Sequence, residues 1–440
     1  MFDLVILGGG PAGYAGAIRA AKLGLSVALV EKGDIGGTCL NRGCIPTKCL
    51  LRSSELYRSR EEWESLGVRA SDVTFDEEGA YDNMRRVVAS LRGGVESLVK
   101  AGGITLVRGE GKILGVGRVE AGGEVIECRN ILVATGSRPA VLPVEGGAEA
   151  MTSDDALAAP VTGGRIAIVG GGVIGCELAD YFSGTGREVT LIEYADRILP
   201  PFGKELSSQL AAVFRKRKID VVTGARVTAL GKDFVEYERA GASVRKDCDA
   251  VVVAVGRVPV TDGIGLENIG LKAGRIAVDG NFRTAVKGVY AAGDAAEGVQ
   301  LAHYATAGAL RAVDDIAGRA ARTDMSVVPS VVYTHPEVAA VGCTDDGLRT
   351  GKFMLGANGK SLINGSNRGF IKVFCDDKGT LCGAELFGAG VSELIGELAL
   401  AIERGIKAEE VAAVIHAHPT LYESVAEACE DVDGLATHKR

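Results

Sequence analysis

FDLVILGGGPAG, residues 2–13, runs an apolar strand into Gly8, Gly10 and Gly13, and its reading decides the fold. An acid, Glu31, closes the next apolar stretch, SVALVE, 18 residues beyond Gly13. That spacing suits a strand, a glycine turn, a helix of roughly a dozen residues and a second strand whose end reaches a ribose hydroxyl. Glycine turns are common, so one such stretch is weak evidence by itself. IAIVGGGVIGCEL, residues 166–178, repeats it with Gly170, Gly172 and Gly175, and Glu193 ends EVTLIE again 18 residues past the third glycine. The repeat predicts two Rossmann-like dinucleotide-binding units in an α/β chain, against the plainer reading of one working unit and a decayed copy. Acids at both strand ends fit a free ribose 2′-hydroxyl, where a 2′-phosphate would want arginine or lysine. The second unit is therefore expected to take NAD rather than NADP.

Directly after Glu31 comes GGTCLNRGCIPTK, residues 36–48, with four residues between Cys39 and Cys44. A disulfide closing so small a ring removes little chain entropy, on the order of 2 kcal/mol or less, so its value is chemical more than structural. The helical stretch predicted from Thr47 and Lys48 onward puts the pair near a helix N-terminus, which stabilises a thiolate. One cysteine can then exchange with a substrate disulfide while the other stays beside a ring cofactor. Half of a zinc site is the alternative, but no second ligand pair lies nearby. Exchange also needs a proton shuttle. Of five histidines, His418 in HAHPTLYE has Glu423 five residues on, close enough to orient an imidazole. His416 reads as structural, and His303 and His335 as cap or turn residues.

The chain has 440 residues, 47% of them hydrophobic, enough for roughly three domains with sizeable cores. A net charge of −8 argues against nucleic acid as a main partner. With no long apolar run and no N-terminal targeting pattern, the protein is expected to be soluble and cytoplasmic, away from membranes. Ten cysteines at irregular spacing do not form a secreted disulfide framework. Only Cys39 and Cys44 are placed for redox work in a reducing compartment.

The first unit is predicted over residues 1–146, with helices over 47–60 and 81–100 and a hairpin-like pair over 104–137. That pair ends on Ala134, Thr135 and Gly136, small residues where backbone must approach a ligand or a crossing chain. The second unit covers 147–262, with a helix over 204–218 and a closing strand AVVVAVGRVP over 250–259. A central segment, 263–327, carries an apolar strand into Gly293 and Asp294. Asp294 is placed to hold a ribityl hydroxyl or a phosphate-bridging water, and equally to cap a helix. Residues 328–440 mix short strands (VVYTHP, FIKVFCDD, LCGAELFG) with helices (SELIGELALAIERG, KAEEVAAVI), an α+β module suited to dimerisation.

Together these residues resemble the class I flavin disulfide reductases, and among them the dihydrolipoamide dehydrogenases, over nearly the whole chain. GGTCLNRGCIPTK is highly specific to the class, and HAHPTLYE lies where expected near the C-terminus. The resemblance implies FAD at the first fingerprint, NAD at the second, and a homodimer. It implies that Cys44 faces the flavin, Cys39 exchanges with the substrate dithiol, and His418 acts as base across the dimer interface, oriented by Glu423 of its own chain. Lys48 is expected near the reactive edge of the flavin, paired with Glu177. FAD contacts are implied at Glu31, Thr38, Cys39, Lys48, Gly111, Thr135, Gly136, Ser137, Asp294, Gln300, Leu301, Ala302 and His303. NAD contacts are implied from Gly170 to Glu177 and at Glu193, Val227 and Gly256. The implied activity is reoxidation of protein-bound dihydrolipoyl groups through a Cys39–Cys44 disulfide and FAD, with hydride passing to NAD⁺. The implied partner is a lipoyl-bearing protein of a 2-oxoacid dehydrogenase or glycine-cleavage complex, and no metal is expected.

Some positions depart from the family pattern. Tyr422 stands where the family motif usually has serine, which bears on substrate fit. ATAGA, residues 305–309, stands where a run of glutamates is usual, which bears on flavin tuning. The NAD unit and the C-terminal module are each shorter than usual, at what read as surface hairpins. The competing reading is another FAD-dependent disulfide reductase, glutathione-, mycothione- or mercuric-reductase-like. Basic residues near Glu193 would favour an NADP-dependent reductase, and a vicinal cysteine pair at the C-terminus a mercuric reductase. Here the strand end itself is the acid Glu193, and the chain ends GLATHKR with only Cys429 in the vicinity. A non-catalytic assembly subunit would be expected to have lost Cys39, Cys44, His418 or Glu423, and all four remain.

Overall fold

The computed structural model describes residues 1–320 and 323–439. Positions 321, 322 and 440, inside the expected spans 263–327 and 328–440, lie outside the described residues. The first strand, Phe2–Leu7, sits inside a parallel sheet between Val27–Glu31 and Glu124–Val133. Leu4 and Ile6 pack on one face with the helix Pro11–Lys22, while Val5 and Leu7 pack on the other with Ile113 and Val119. Burial on both faces explains why FDLVIL is a continuous apolar run rather than an alternating one. Val289–Ala291, from the central segment, joins the same sheet parallel to Glu124–Val133.

A second parallel sheet runs in the order Asp220–Val222, Glu188–Ile192, Arg165–Val169, Ala250–Val253, Met151–Thr152. The helix Val173–Gly184 follows its central strand as Pro11–Lys22 follows the first. The third sheet is antiparallel, ordered Ser330–Val332, Glu337–Gly342, Leu381–Gly388, Phe370–Cys375, Arg349–Met354. Helices Val391–Glu403 and Glu423–Glu430 share its apolar core. Among the described residues, no helix is long and apolar enough to cross a membrane.

Several local expectations change. The helix expected from Thr47 begins at Cys44 and runs to Trp63. The helix expected from Tyr81 begins at Glu77, because the Asp76 carboxylate accepts the Gly79 N–H at 3.0 Å and caps it. Thr105–Arg108 is not half of a hairpin but a parallel edge strand beside Val27–Glu31; the antiparallel pairing starts with Gly111–Gly115. AVVVAVGRVP splits into Ala250–Val253 and Arg257–Pro259, broken at Gly256, whose φ is +112°. The helix expected over 204–218 stops at Lys216, and Lys218 turns the chain with φ +63°. Glu337–Gly342 and Arg349–Met354 are strands without a counterpart in the sequence reading.

Candidate active site

The two glycine turns are built alike. A Cβ on Gly8 would lie 2.3 Å from the Ala134 carbonyl oxygen, and one on Gly13 would lie 1.8 Å from that of Gly8. Gly170 and Gly175 repeat this, with 2.4 Å to the Ala254 oxygen and 1.8 Å to that of Gly170. Only glycine permits either crossing of strand, turn and helix. Gly10 and Gly172 then start the two helices without a capping side chain, so the N-terminal amides remain free for a pyrophosphate. The strand-end acids also match. Glu31 accepts the Gly9 and Gly33 amides at 2.6 and 2.7 Å, and Glu193 accepts those of Gly171 and Ala195 at 2.5 and 2.7 Å. Each carboxylate is thereby fixed at its turn, with lone pairs left for a ribose diol.

The cysteine loop lies directly on the first turn. Gly37 has φ +59°, and a Cβ there would come within 2.6 Å of Gly10 Cα. Cys39 and Thr38 fall in the short helix Gly37–Arg42, and Cys44 is the first residue of the helix Cys44–Trp63. The Asn41 amide donates to the carbonyls of Ile35 and Gly37, both at 3.0 Å, and so staples the loop shut. With both thiols reduced, a hydrogen bond from Cys39 holds the Cys44 thiol down at about 7, and the Lys48 ammonium acts in the same direction. The same hydrogen bond and burial push the Cys39 thiol up. Tyr14, on the first helix, is pushed up by burial and by the neighbouring Cys39.

Lys48, one turn after Cys44, donates to both carboxylate oxygens of Glu177, at 2.9 and 2.8 Å. Glu177 is 3% exposed, on the helix of the second unit. Burial pushes Lys48 down, but Glu177 more than offsets it and raises the lysine. Glu177 also accepts the Tyr333 N–H at 2.9 Å, and Lys48 Nζ lies 4.6 Å from the centre of the Tyr333 ring. A cavity of about 120 Å³ opens here, lined by Lys48, Glu55, Tyr333 and His335 among others. Tyr333 gave no signal in the sequence, since nothing in VVYTHP marks its ring as facing a lysine 285 positions earlier.

The remaining residues expected at the first dinucleotide are each held by contacts of their own. Ser137 donates to Asp294 at 2.6 Å and receives Arg257 Nε at 2.9 Å, so Asp294 is a held acceptor and not a helix cap. Arg257, which the sequence reading did not single out, also reaches Asp154 of its own unit at 3.2 Å, and its bond to Ser137 ties the two units together. Gly111 packs under Leu7, where a Cβ would lie 2.6 Å from its Cδ2. Leu301, Ala302 and His303 form the start of the helix Ala302–Ile316, with His303 Nε2 at 2.8 Å from the Pro329 carbonyl. Thr135 Oγ1 and Gln300 Nε2 are buried without a hydrogen-bond partner. Buried polar atoms are rarely left so, and a flavin dinucleotide rich in hydroxyl, carbonyl and ring nitrogen groups would satisfy them. The residues present fit FAD. At the second turn, Gly256 stands beyond the closing strand as Gly136 does in the first, both with positive φ. Val227 lies close by on the strand Ala225–Leu230, whose first amide donates to the Glu193 carbonyl at 3.0 Å.

His418 stands apart from this cluster. Its Nδ1 meets Glu423 Oε1 at 2.8 Å, and the Thr420 N–H donates to Glu423 Oε2 at 2.8 Å. The Thr420 amide and then His418 hold the Glu423 carboxyl below its usual range. The His418 side chain is 79% exposed, and among the described residues no hydrogen bond links HAHPTLYE to the cysteine loop of the same chain. His416 is instead buried on Glu397 at 3.0 Å, a structural partner. Tyr422 turns its hydroxyl to the Glu393 carbonyl at 3.2 Å. Ala305 and Ala309 are buried against the first helix, where glutamate would lack room.

Residues 2–309 match the pyridine nucleotide-disulphide oxidoreductase family, and residues 328–429 match that family's dimerisation domain. The chain is 39% identical to a dihydrolipoyl dehydrogenase of Bacillus subtilis, covering 99% of each. It is also 39% identical to a dihydrolipoyl dehydrogenase of Halobacterium salinarum, covering 99% of this chain and 97% of the other. The crystal structure of LpdA from Mycobacterium tuberculosis superposes with a TM-score of 0.89 at 28% identity, over 98% of this chain and 99% of that one.

Proposed function

Because the chain belongs to the pyridine nucleotide-disulphide oxidoreductase family, we propose that it is a flavoprotein disulfide oxidoreductase that reoxidises dihydrolipoyl groups with NAD⁺. The observation that carries this reading is the dithiol seated on the first glycine turn, with Lys48 reaching across to Glu177 beside the second. FAD, when bound at the first turn, supplies a ring that accepts an electron pair from sulfur and returns hydride to NAD⁺.

The sulfur steps fall to the chain's own residues. A dihydrolipoyl thiolate attacks Cys39 of the Cys39–Cys44 disulfide; the substrate–Cys39 bond forms and Cys44 leaves as a thiolate. The second substrate sulfur then attacks the first, closing the lipoyl disulfide and releasing Cys39. Lys48 sits where it steadies the Cys44 thiolate, and Glu177 fixes Lys48. His418 takes the substrate proton, with Glu423 orienting its ring. Its exposure, and the lack of a hydrogen bond to the cysteine loop of its own chain among the described residues, support a base supplied by a second copy. Apolar Val414 and Ile415, 54% and 97% exposed just before it, support the same homodimer.

FAD is held by Glu31, Thr38, Cys39, Lys48, Gly111, Thr135 to Ser137, Asp294 and Gln300 to His303 in this reading. NAD is held by Gly170 to Glu177, Glu193, Val227 and Gly256. The divisions at 146, 262 and 327 separate the FAD unit, the NAD unit, the segment completing the FAD site and the dimerisation module. The partner is a lipoyl-bearing protein of a 2-oxoacid dehydrogenase or glycine-cleavage complex, and the compartment is the cytoplasm. The test is steady-state reduction of NAD⁺ by dihydrolipoamide on flavin-loaded protein, beside NADP⁺. Turnover with NAD⁺ alone supports substrate and cofactor together. A flavin reducible by NADH but no dihydrolipoamide turnover would replace the substrate.

A further inference from the structure

The segment Tyr333–His335 belongs to the C-terminal module, yet it is bound to the second unit by two consecutive carboxylates of one helix. Glu177 accepts the Tyr333 N–H at 2.9 Å, and Asp180, one turn on, accepts the His335 N–H at 3.0 Å. Asp180 is 1% exposed and is gripped in turn by Arg217 at 2.7 Å and Arg58 at 3.1 Å. Arg58 lies on the same helix as Cys44 and Lys48. That helix packs closely on the helix of Glu177: a Cβ on Gly184 would come within 3.0 Å of Ser54 Cβ. The Tyr333 backbone is therefore fixed at both ends of the segment, and its ring, with the residue 39% exposed, lies against the Lys48 ammonium, 4.6 Å from ring centre to Nζ.

A partly desolvated ammonium over an aromatic face is attracted to it by about 0.5–2 kcal/mol. Glu177 pulls Lys48 toward the second unit from one side, while the Tyr333 ring bounds it from another. We propose that Tyr333 is a positioning residue of the redox centre, its ring face confining the Lys48 ammonium where that charge stabilises the Cys44 thiolate. The inference rests on the flavin disulfide oxidoreductase reading above and adds to it a residue from the third module. The phenol oxygen has no part in it; the π-face does the confining.

The experiment isolates Cys44 in flavin-loaded Cys39→Ser protein and titrates its thiolate with pH. The thiolate is read by the long-wavelength absorption that an electron-rich sulfur gives against a flavin, and independently by iodoacetamide labelling of the Cys44 peptide. Replacing the ring by Tyr333→Leu frees Lys48 and is expected to raise the midpoint by about half a pH unit or more, roughly threefold less thiolate at a given pH. Tyr333→Phe keeps the ring face and is expected to leave the midpoint where it was. Tyr333→Met, bulky and not aromatic, is expected to behave as leucine does and serves if the leucine variant does not fold. Flavin-loaded leucine or methionine variants with an unmoved midpoint would overturn the proposal, and so would a phenylalanine variant that shifts as far as leucine. The titration uses no substrate, so a failure of dihydrolipoamide turnover in the unmodified protein would count against the substrate reading alone.

Discussion

At the scale of the residue, the two thiols are made unequal by their surroundings. In the reduced protein a single hydrogen bond lowers Cys44 and raises Cys39, and the Lys48 charge adds to the lowering. Interacting thiols lose protons in steps that belong to the pair. The pair should therefore lose its first proton near 7, where an ordinary thiol would wait until 9.0. Thiolate absorbance against pH, as a difference from the Cys44→Ser variant, reads this directly; a first step near 9 would refute the assignment. Cys44→Ser should also abolish dithiol turnover, at least a thousandfold, while flavin stays bound, because no helix end or core contact depends on its sulfur. Flavin lost together with that change would make Cys44 structural. His418→Gln should slow dihydrolipoamide oxidation by roughly 100-fold or more, the usual worth of a positioned base. It should leave NADH oxidation by a quinone nearly untouched, since that reaction takes no proton from a thiol. Equal losses in both assays would remove His418 from the shuttle.

At the scale of the element, two strand–turn–helix units have the same shape, so the same substitution can address either dinucleotide. Gly13→Ala and Gly175→Ala would each drive a methyl to 1.8 Å from a backbone oxygen of its own turn. The turn must open, and the pyrophosphate cradle opens with it. Gly175→Ala should keep flavin bound and raise the NADH concentration needed for half-maximal flavin reduction by roughly tenfold or more. Gly13→Ala should instead cost flavin content, read from the ratio of flavin to protein absorbance. If both variants lost flavin, or both lost only NADH response, the two turns would not hold separate dinucleotides. The cysteine helix depends on the first turn in the same way, since Gly37 rests on Gly10.

At the scale of the molecule, the proposed sulfur centre and the proposed base lie on one chain with no hydrogen bond between them among the described residues. The cysteine pair and the exposed His418 are not joined within a chain, so a two-fold dimer is the simplest way to unite them. Mixing Cys44→Ser chains with His418→Gln chains tests it. Each parent homodimer would be inactive with dihydrolipoamide. Random pairing makes half of the dimers mixed, and each mixed dimer holds one intact site, so about a quarter of full activity should return. No recovery in co-expressed, purified mixed dimers would place the base within its own chain.

The sequence determined the local devices. Glycines spaced for a turn, an acid 18 residues later and the repeat of both specified the two cradles, because backbone crossings this close admit no Cβ. Cys39 and Cys44 were read as a pair for a similar reason, since the chemistry proposed for them depends on short-range spacing and a helix start. His418 and Glu423 are five residues apart, so their hydrogen bond was legible too. Contacts between distant segments were not. The Lys48–Glu177 pair was reached only through family resemblance, and Tyr333, Asp180, Arg58, Arg217 and Arg257 gave no sign of their roles. Each acts through a partner tens to hundreds of positions away, in another module for all but the Arg217–Asp180 pair. The tertiary structure decided those, because packing the sheets and helices together sets which buried charges meet, and a buried charge must find its partner across whatever sequence separates them.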